Sequence, residues 1–172
     1  FHFYDLRKLA ERLPVAFSQV LLPWFVDLAS LETQESSSIR DTYPDSLTLH
    51  WSWDDEHRAD GVFFAMKSAL RVCAAKHPEA FVELIQPYLA VEVEAVQVVL
   101  ADALTAGGAP LAEVGAKFLL ADTRRLQLGT ASDADNIGHA VTGWWSLKLL
   151  ESVTPHCCAE TQQRLLEYVE HW

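Results

Sequence analysis

The chain has 172 residues, half of them hydrophobic, and carries 13 basic against 24 acidic side chains, a net charge of −11 with histidine neutral. That is enough chain for one domain with a core of its own. The acidic balance works against binding a phosphate backbone, and the basic residues gather no further than the adjacent pairs Arg7-Lys8 and Arg124-Arg125, so a nucleic-acid partner is disfavoured.

Residues 1–13 read as a helix with Phe3, Leu6, Leu9 and Leu13 on one side. Pro14 suits the first turn of a second helix, where its missing N–H costs nothing, and that helix is expected to run to about Leu31 with Pro23 inside it. The stretch 32–56 breaks the period. Its Thr-Gln-Glu-Ser-Ser-Ser run and Tyr43-Pro44-Asp45-Ser46 are turn chemistry, so a long loop is predicted. The helical period returns over 56–76 with Val62, Phe63, Met66, Ala69, Leu70 and Cys73, and His77-Pro78 opens a partner helix ending near Ala90. Val93, Val96, Leu100 and Leu104 line one face of a helix over 92–106. Gly107-Gly108 stops it, and Ala109-Pro110 starts another lined by Leu111, Val114, Phe118 and Leu119. A second irregular stretch covers 122–143. The last pair is 144–153 and 155–171, with Leu149, Leu150 and Val153 expected to face Leu165, Leu166 and Val169. No strand is predicted.

One unit is used twice. Pro14, Ala16, Phe17 and Pro23 recur 64 residues later as Pro78, Ala80, Phe81 and Pro87, and Leu6, Arg7 and Ala10 recur as Leu70, Arg71 and Ala74. These are seven identities in the 26 pairs from Phe1 to Val26, where unrelated sequences give roughly one or two. The repeated internal proline predicts a kink in both helices. The fold expected is all-α: a single domain over 1–172, an α-solenoid of about four antiparallel helix pairs in the HEAT/armadillo style, because stacked pairs bury an apolar face that one pair cannot. The chain has no initiator methionine and opens in mid-pattern, which suggests a fragment of a longer protein cut within a repeat array. A complete small protein is the alternative.

Three cysteines, two of them adjacent, do not make a secreted disulfide framework, so a cytoplasmic setting is expected. No apolar run approaches the ~20 residues that cross a bilayer, and Phe1-His-Phe-Tyr-Asp lacks the charged start and apolar centre of a signal peptide. No membrane partner is expected.

The segments 78–89 (Pro-Glu-Ala-Phe-Val-Glu-Leu-Ile-Gln-Pro-Tyr-Leu), 118–129 (Phe-Leu-Leu-Ala-Asp-Thr-Arg-Arg-Leu-Gln-Leu-Gly), 145–156 and Leu165-Leu-Glu-Tyr168 together resemble the helical-repeat region of bacterial STAND-type (NACHT-like) ATPases, among them the antiviral Avs proteins. The resemblance implies a sensor arm that binds a viral protein, in a parent that self-associates through a separate nucleotide-binding module and carries an effector. This chain has no Gly-x-x-x-x-Gly-Lys-Ser/Thr phosphate loop, since Gly107-Gly108-Ala109-Pro110 lacks the lysine, so no ATPase or effector residue carries over.

Each polar cluster has a structural reading beside the chemical one. Asp54-Asp55-Glu56-His57 could bind a metal or share a proton, but acids at a helix entry serve the dipole equally well. Asp133-Ala-Asp-Asn-Ile-Gly138 begins like a calcium loop, yet position five is Ile137 and position twelve is Trp144 where glutamate is required. His156-Cys157-Cys158 lacks the spaced ligands of structural zinc, so Cys73 and one of the pair read as small core residues. The histidines are dispersed. No catalytic residue, cofactor or metal is assigned, and the segment is not read as an enzyme. Trp51, Trp53, Trp144 and Trp145 lie in or beside the irregular stretches and are the candidate partner-binding residues, against the alternative that they cover the ends of the stack. The main reading is a protein-recognition scaffold. The alternative is a small all-α enzyme or ligand-binding bundle with an aromatic and histidine-lined pocket.

Overall fold

The fold is all-α. The computed structural model describes residues 3–35, 62–132 and 140–171. Among the described residues eight α-helices follow one another: α1 Phe3–Arg12, α2 Pro14–Glu35, α3 Val62–Lys76, α4 Pro78–Ile85, α5 Glu94–Gly107, α6 Ala112–Leu120, α7 Trp144–Val153 and α8 Ala159–Glu170. α1 lies on α3, α3 on α5 and α5 on α7; α2 packs on α3 and α4, and α6 on α7 and α8.

The two copies of the repeated unit share the junction between their helices. In the first, the Leu13 N–H donates to the Leu9 carbonyl at 2.9 Å and the Phe17 N–H to the Leu13 carbonyl at 2.9 Å. In the second, 64 residues on, the His77 N–H donates to Cys73 at 2.7 Å and the Phe81 N–H to His77 at 2.9 Å. One residue thus joins helix to helix in each, and proline opens the second helix, where no intrahelical donor is needed. Ala10 and Ala74, and Phe17 and Phe81, are buried alike.

The internal prolines part company. α2 continues through Pro23 to Glu35, four residues past the expected end. The Gln19 carbonyl that loses its donor lies on an exposed stretch of helix, where water can serve it. Phe25 and Ala29 beyond the proline are buried and hold the second half in place. α4 instead ends at Ile85, and Pro87 sits in a 3-10 turn, Gln86–Tyr88, so the expected common kink is not found. The chain after Pro87 is pinned out of helix: Arg125 Nη2 donates to the Leu89 carbonyl, and Gln97 Nε2 to Val91 at 3.0 Å.

α5 is buried all round. Every residue from Ala95 to Leu104 is covered, although the sequence predicted only one apolar face. Gly108, at φ +58°, ends this helix in a conformation that side chains resist. A 3-10 turn, Ala109–Leu111, leads into α6.

The 122–143 stretch holds structure that was not expected. Asp122 accepts the Arg124 N–H at 2.9 Å and opens a 3-10 turn over Thr123–Gln127. Thr130–Ser132 and Ala140–Thr142 then form an antiparallel two-strand ladder, β1 and β2, with Ala131 opposite Val141. At Gly129, φ is +71°, and a Cβ there would lie 2.4 Å from Trp145 Cδ1. Gly129→Ala should therefore lower the unfolding free energy in urea by about 2 kcal/mol or more, from the left-handed backbone and the displaced indole together.

The end of the chain also corrects the reading. Thr154-Pro155 begins only a 3-10 turn, and α8 starts at Ala159. α8 docks on α6 rather than against α7: Leu165 is buried, but Leu166 and Val169 face solvent. The reason is an acid from another helix. Glu113 of α6 accepts the Cys158 N–H at 2.7 Å and the Thr161 hydroxyl at 2.9 Å, capping α8 from outside. These bonds hold the Glu113 carboxyl below the usual glutamate range. Its contribution to stability is therefore complete above the ordinary glutamate pKa and is lost as the pH falls through the lowered value. Glu113→Gln should remove that part of the acid sensitivity, seen as a flatter melting-temperature profile on the acid side of about pH 5.

Candidate functional site

Asp102 is the one charged residue between Glu94 and Glu113, and α5 carries it inward with its side chain 1% exposed. A carboxylate there must be matched by cations. Two come from α3. Arg71 Nη1 donates to Asp102 Oδ1 at 2.5 Å, and Lys67 Nζ lies 3.9 Å from Oδ2. They reach the same acid because residues four apart share a helix face. Burial pushes the Asp102 carboxyl up, and Lys67, Arg71 and Lys148 draw it back. Among the described residues Asp102 Oδ2 accepts no hydrogen bond, and Lys67 serves it through charge.

The cluster runs on into the tryptophans. The Lys67 ammonium stands 4.1 Å over the Trp145 ring. Lys148 stands 4.4 Å over Trp144 and 5.3 Å from the Trp145 ring centre. Such contacts contribute about 0.5–2 kcal/mol each, more as they lose water. The contacts run from Asp102 to Lys67, Trp145, Lys148 and Trp144 in turn. Trp145 is buried, Trp144 half-buried, and Leu147, one turn along α7 from Trp144, is 45% exposed.

A second polar set fixes the floor on which Trp145 rests. Arg125 Nη1 donates to the Phe118 carbonyl at 2.8 Å, and its guanidinium lies 4.3 Å over the Phe118 ring. Burial lowers its pKa from a very high starting point, so it stays charged. The Ser146 hydroxyl donates to the Arg125 carbonyl at 2.6 Å and accepts the Leu128 N–H at 2.9 Å. The Gly129 N–H donates to Glu94 Oε1 at 3.2 Å, and the Trp145 N–H to the Leu128 carbonyl at 3.1 Å. Burial raises the Glu94 carboxyl, against the pull of the Gly129 N–H.

Of the four tryptophans singled out, Trp144 and Trp145 share this site, whereas Trp51 and Trp53 lie outside the described residues. So do Asp54-Asp55-Glu56-His57 and the Asp133–Gly138 segment. Cys73 and Cys157 are buried, Cys158 is exposed, and burial raises both buried thiols. Among the described residues no group of three or more His, Cys, Asp or Glu is placed to hold a metal, and no helix is long and apolar enough to cross a membrane. Lys8, Leu9, Arg12 and Leu13 line a cleft of about 530 Å³ along α1. Sequence reading passed over Lys67, Arg71, Asp102 and Lys148. A solitary acid in an otherwise apolar helix, and a Lys-x-x-x-Arg on its neighbour, were the available signal.

Compared with known proteins, the chain matches no family model, no curated protein and no solved structure.

The cluster makes a pH-dependent prediction. Arg71→Ala leaves Asp102 with lysine alone and should cost about 3 kcal/mol at neutral pH. Losing the guanidinium raises the Asp102 carboxyl further. An acid whose folded pKa is raised loses stability as pH climbs from its unfolded towards its folded value, so the deficit should shrink on acidification. Urea titrations of both proteins near pH 7.5 and pH 4.5 measure it; a deficit equal at the two pH values would show that Asp102 is not the group relieved.

Proposed function

We propose that the chain is a protein-recognition scaffold, an α-solenoid of HEAT/armadillo style, and that it serves as the target-sensing arm of a bacterial STAND-type ATPase in the cytoplasm, with a viral protein as the target. The solenoid reading is supported by the succession α1, α3, α5, α7, each helix against the next, and by the matching junctions of the repeated unit. The family reading is supported by the sequence resemblance of 78–89, 118–129 and 145–156.

The observation that carries the binding role is the outer edge of the charge cluster. Trp144, Leu147 and Lys148 of α7 and Arg71 of α3, the helices on either side of α5, present an indole, an alkyl group and two cations; Arg71 is bonded to the buried acid and Lys148 stands over the indoles. Tryptophan and arginine supply much of the energy at protein interfaces, and groups already immobilised lose less entropy on binding. Such a surface suits a partner with an apolar knob ringed by acids. It offers no nucleophile with a base beside it, and so favours recognition over turnover.

Binding to a panel of purified viral proteins, measured by biolayer interferometry, tests the proposal. One member should bind, and Trp144→Ala or Leu147→Asp should weaken it at least about thirtyfold. Parallel Trp51→Ala and Trp53→Ala variants report on the other two candidates. Binding indifferent to Trp144, Leu147 and Arg71 would remove this surface from consideration.

A further inference from the structure

The solvent face of α2 carries no charge. Ser18, Leu22 and Phe25 mark the buried side of this helix, and Ala16, Gln19, Val20, Pro23 and Trp24, turned away from them, are exposed. Val20 is 72% exposed and Trp24 48%. From Leu13 to Val26 the chain has no charged residue. The solvent faces of α4, α6 and α8 differ, with Glu83, Lys117 and Arg164 among their exposed residues. Apolar side chains on adjoining turns, with charges only at the two ends, have the composition of a contact surface rather than of scattered exposed residues.

The order of residues along this face makes it complementary to itself. Ala16, Val20 and Trp24 follow at intervals of four and so lie in one line. A second α2 laid antiparallel, with the two Val20 side chains together, brings Trp24 of each molecule over Ala16 of the other, a large side chain opposite a small one. The ends match as well. Arg12 precedes the uncharged stretch and Asp27 follows it, both exposed, and among the described residues neither is ion-paired. The antiparallel arrangement sets Arg12 of one molecule beside Asp27 of the other, and does so twice. Two chains of net charge −11 repel over most of their surfaces, and this face is one where they can approach.

We infer that two copies of this chain pair through the solvent faces of α2, antiparallel about a two-fold axis at Val20, with Trp24 against Ala16 and Arg12 beside Asp27. The contact is isologous, so it closes at a dimer. One helix face is smaller than a standard protein interface, and the dimer is accordingly weak and reversible. It uses none of Arg71, Trp144, Leu147 and Lys148, so its test is independent of the partner surface proposed above.

Sedimentation velocity on the full chain, from about 1 μM to about 1 mM, tests this. Wild type should pass from monomer to dimer and no further. Val20→Glu should be monomeric throughout, with the circular dichroism of the parent, and Trp24→Ala should weaken the dimer at least about tenfold. The orientation is tested by charge. Arg12→Asp sets acid against acid at both ends of the pair, and Asp27→Arg sets base against base, so each alone should associate at least about tenfold less than wild type. Mixed in equal amounts, the two variants restore an opposite pair at both ends and should dimerise with each other. A wild type monomeric at every concentration would overturn the inference. So would a dimer that survives Val20→Glu, which places the contact elsewhere, or a mixture no heavier than its components, which excludes the antiparallel pairing.

Discussion

A single carboxylate inside a helix covered on every side constrains the arrangement of three helices. α5 is nearly all apolar, and burying it needs neighbours around its whole circumference. Asp102, its one charge beyond Glu94 in the first turn, then dictates how it is turned. Each residue of a helix is rotated about 100° from the last, so a small rotation of α5 would carry Asp102 away from Arg71 and Lys67 and leave an ion in apolar surroundings. The lysine that faces Asp102 also stands over Trp145, which ties α7 to the same register. Apolar packing supplies the attraction among α3, α5 and α7, and the chain of acid, cation and indole selects one way of making it.

The repeated unit shows how much a local rule can carry and where it stops. A one-residue junction followed by proline gives the same hydrogen bonds at Leu13 and at His77, although leucine and histidine share little chemistry. The junction depends on proline's fixed φ and missing donor, and these recur. Downstream, identical prolines lead to different structures. Pro23 has buried residues beyond it that reward continued helix, whereas the chain after Pro87 is held by Arg125 and Gln97 from elsewhere in the fold. A proline weakens a helix locally, and tertiary bonds settle whether it ends.

The legibility of the sequence follows the same division. Apolar periodicity at Met66, Ala69, Leu70 and Cys73, and at Val96, Leu100 and Leu104, located the helices and their buried positions. Three features escaped it, the first two because they depended on partners distant in sequence. α8 begins late because Glu113, 45 residues away, supplies its cap at Cys158. Its apolar Leu166 and Val169 face outward because α6, not α7, is its neighbour. The ladder at Thr130–Ser132 is too short to display a period. At the candidate site, Trp144 and Trp145 were legible as large aromatics beside an irregular stretch. The groups that hold them were not, since Lys67, Arg71 and Lys148 are ordinary surface residues until the fold gathers them around Asp102.

That gathering matters more because the chain is acidic overall. A net charge of −11 repels acidic partners at a distance. At physiological ionic strength, however, charges are screened beyond about 8 Å, and an approaching surface feels mainly what lies beneath it. On α3 and α7, the helices that flank α5, it meets the cations Arg71 and Lys148, with the carboxylate of Asp102 sunk below them. Under the proposed recognition role, an acidic partner would be refused over most of the surface and accepted here, where Trp144 and Leu147 add contact area. The buried position of Asp102 is what makes this possible: the acid is deep enough to hold the cations in place, and too deep to cancel them for a partner outside.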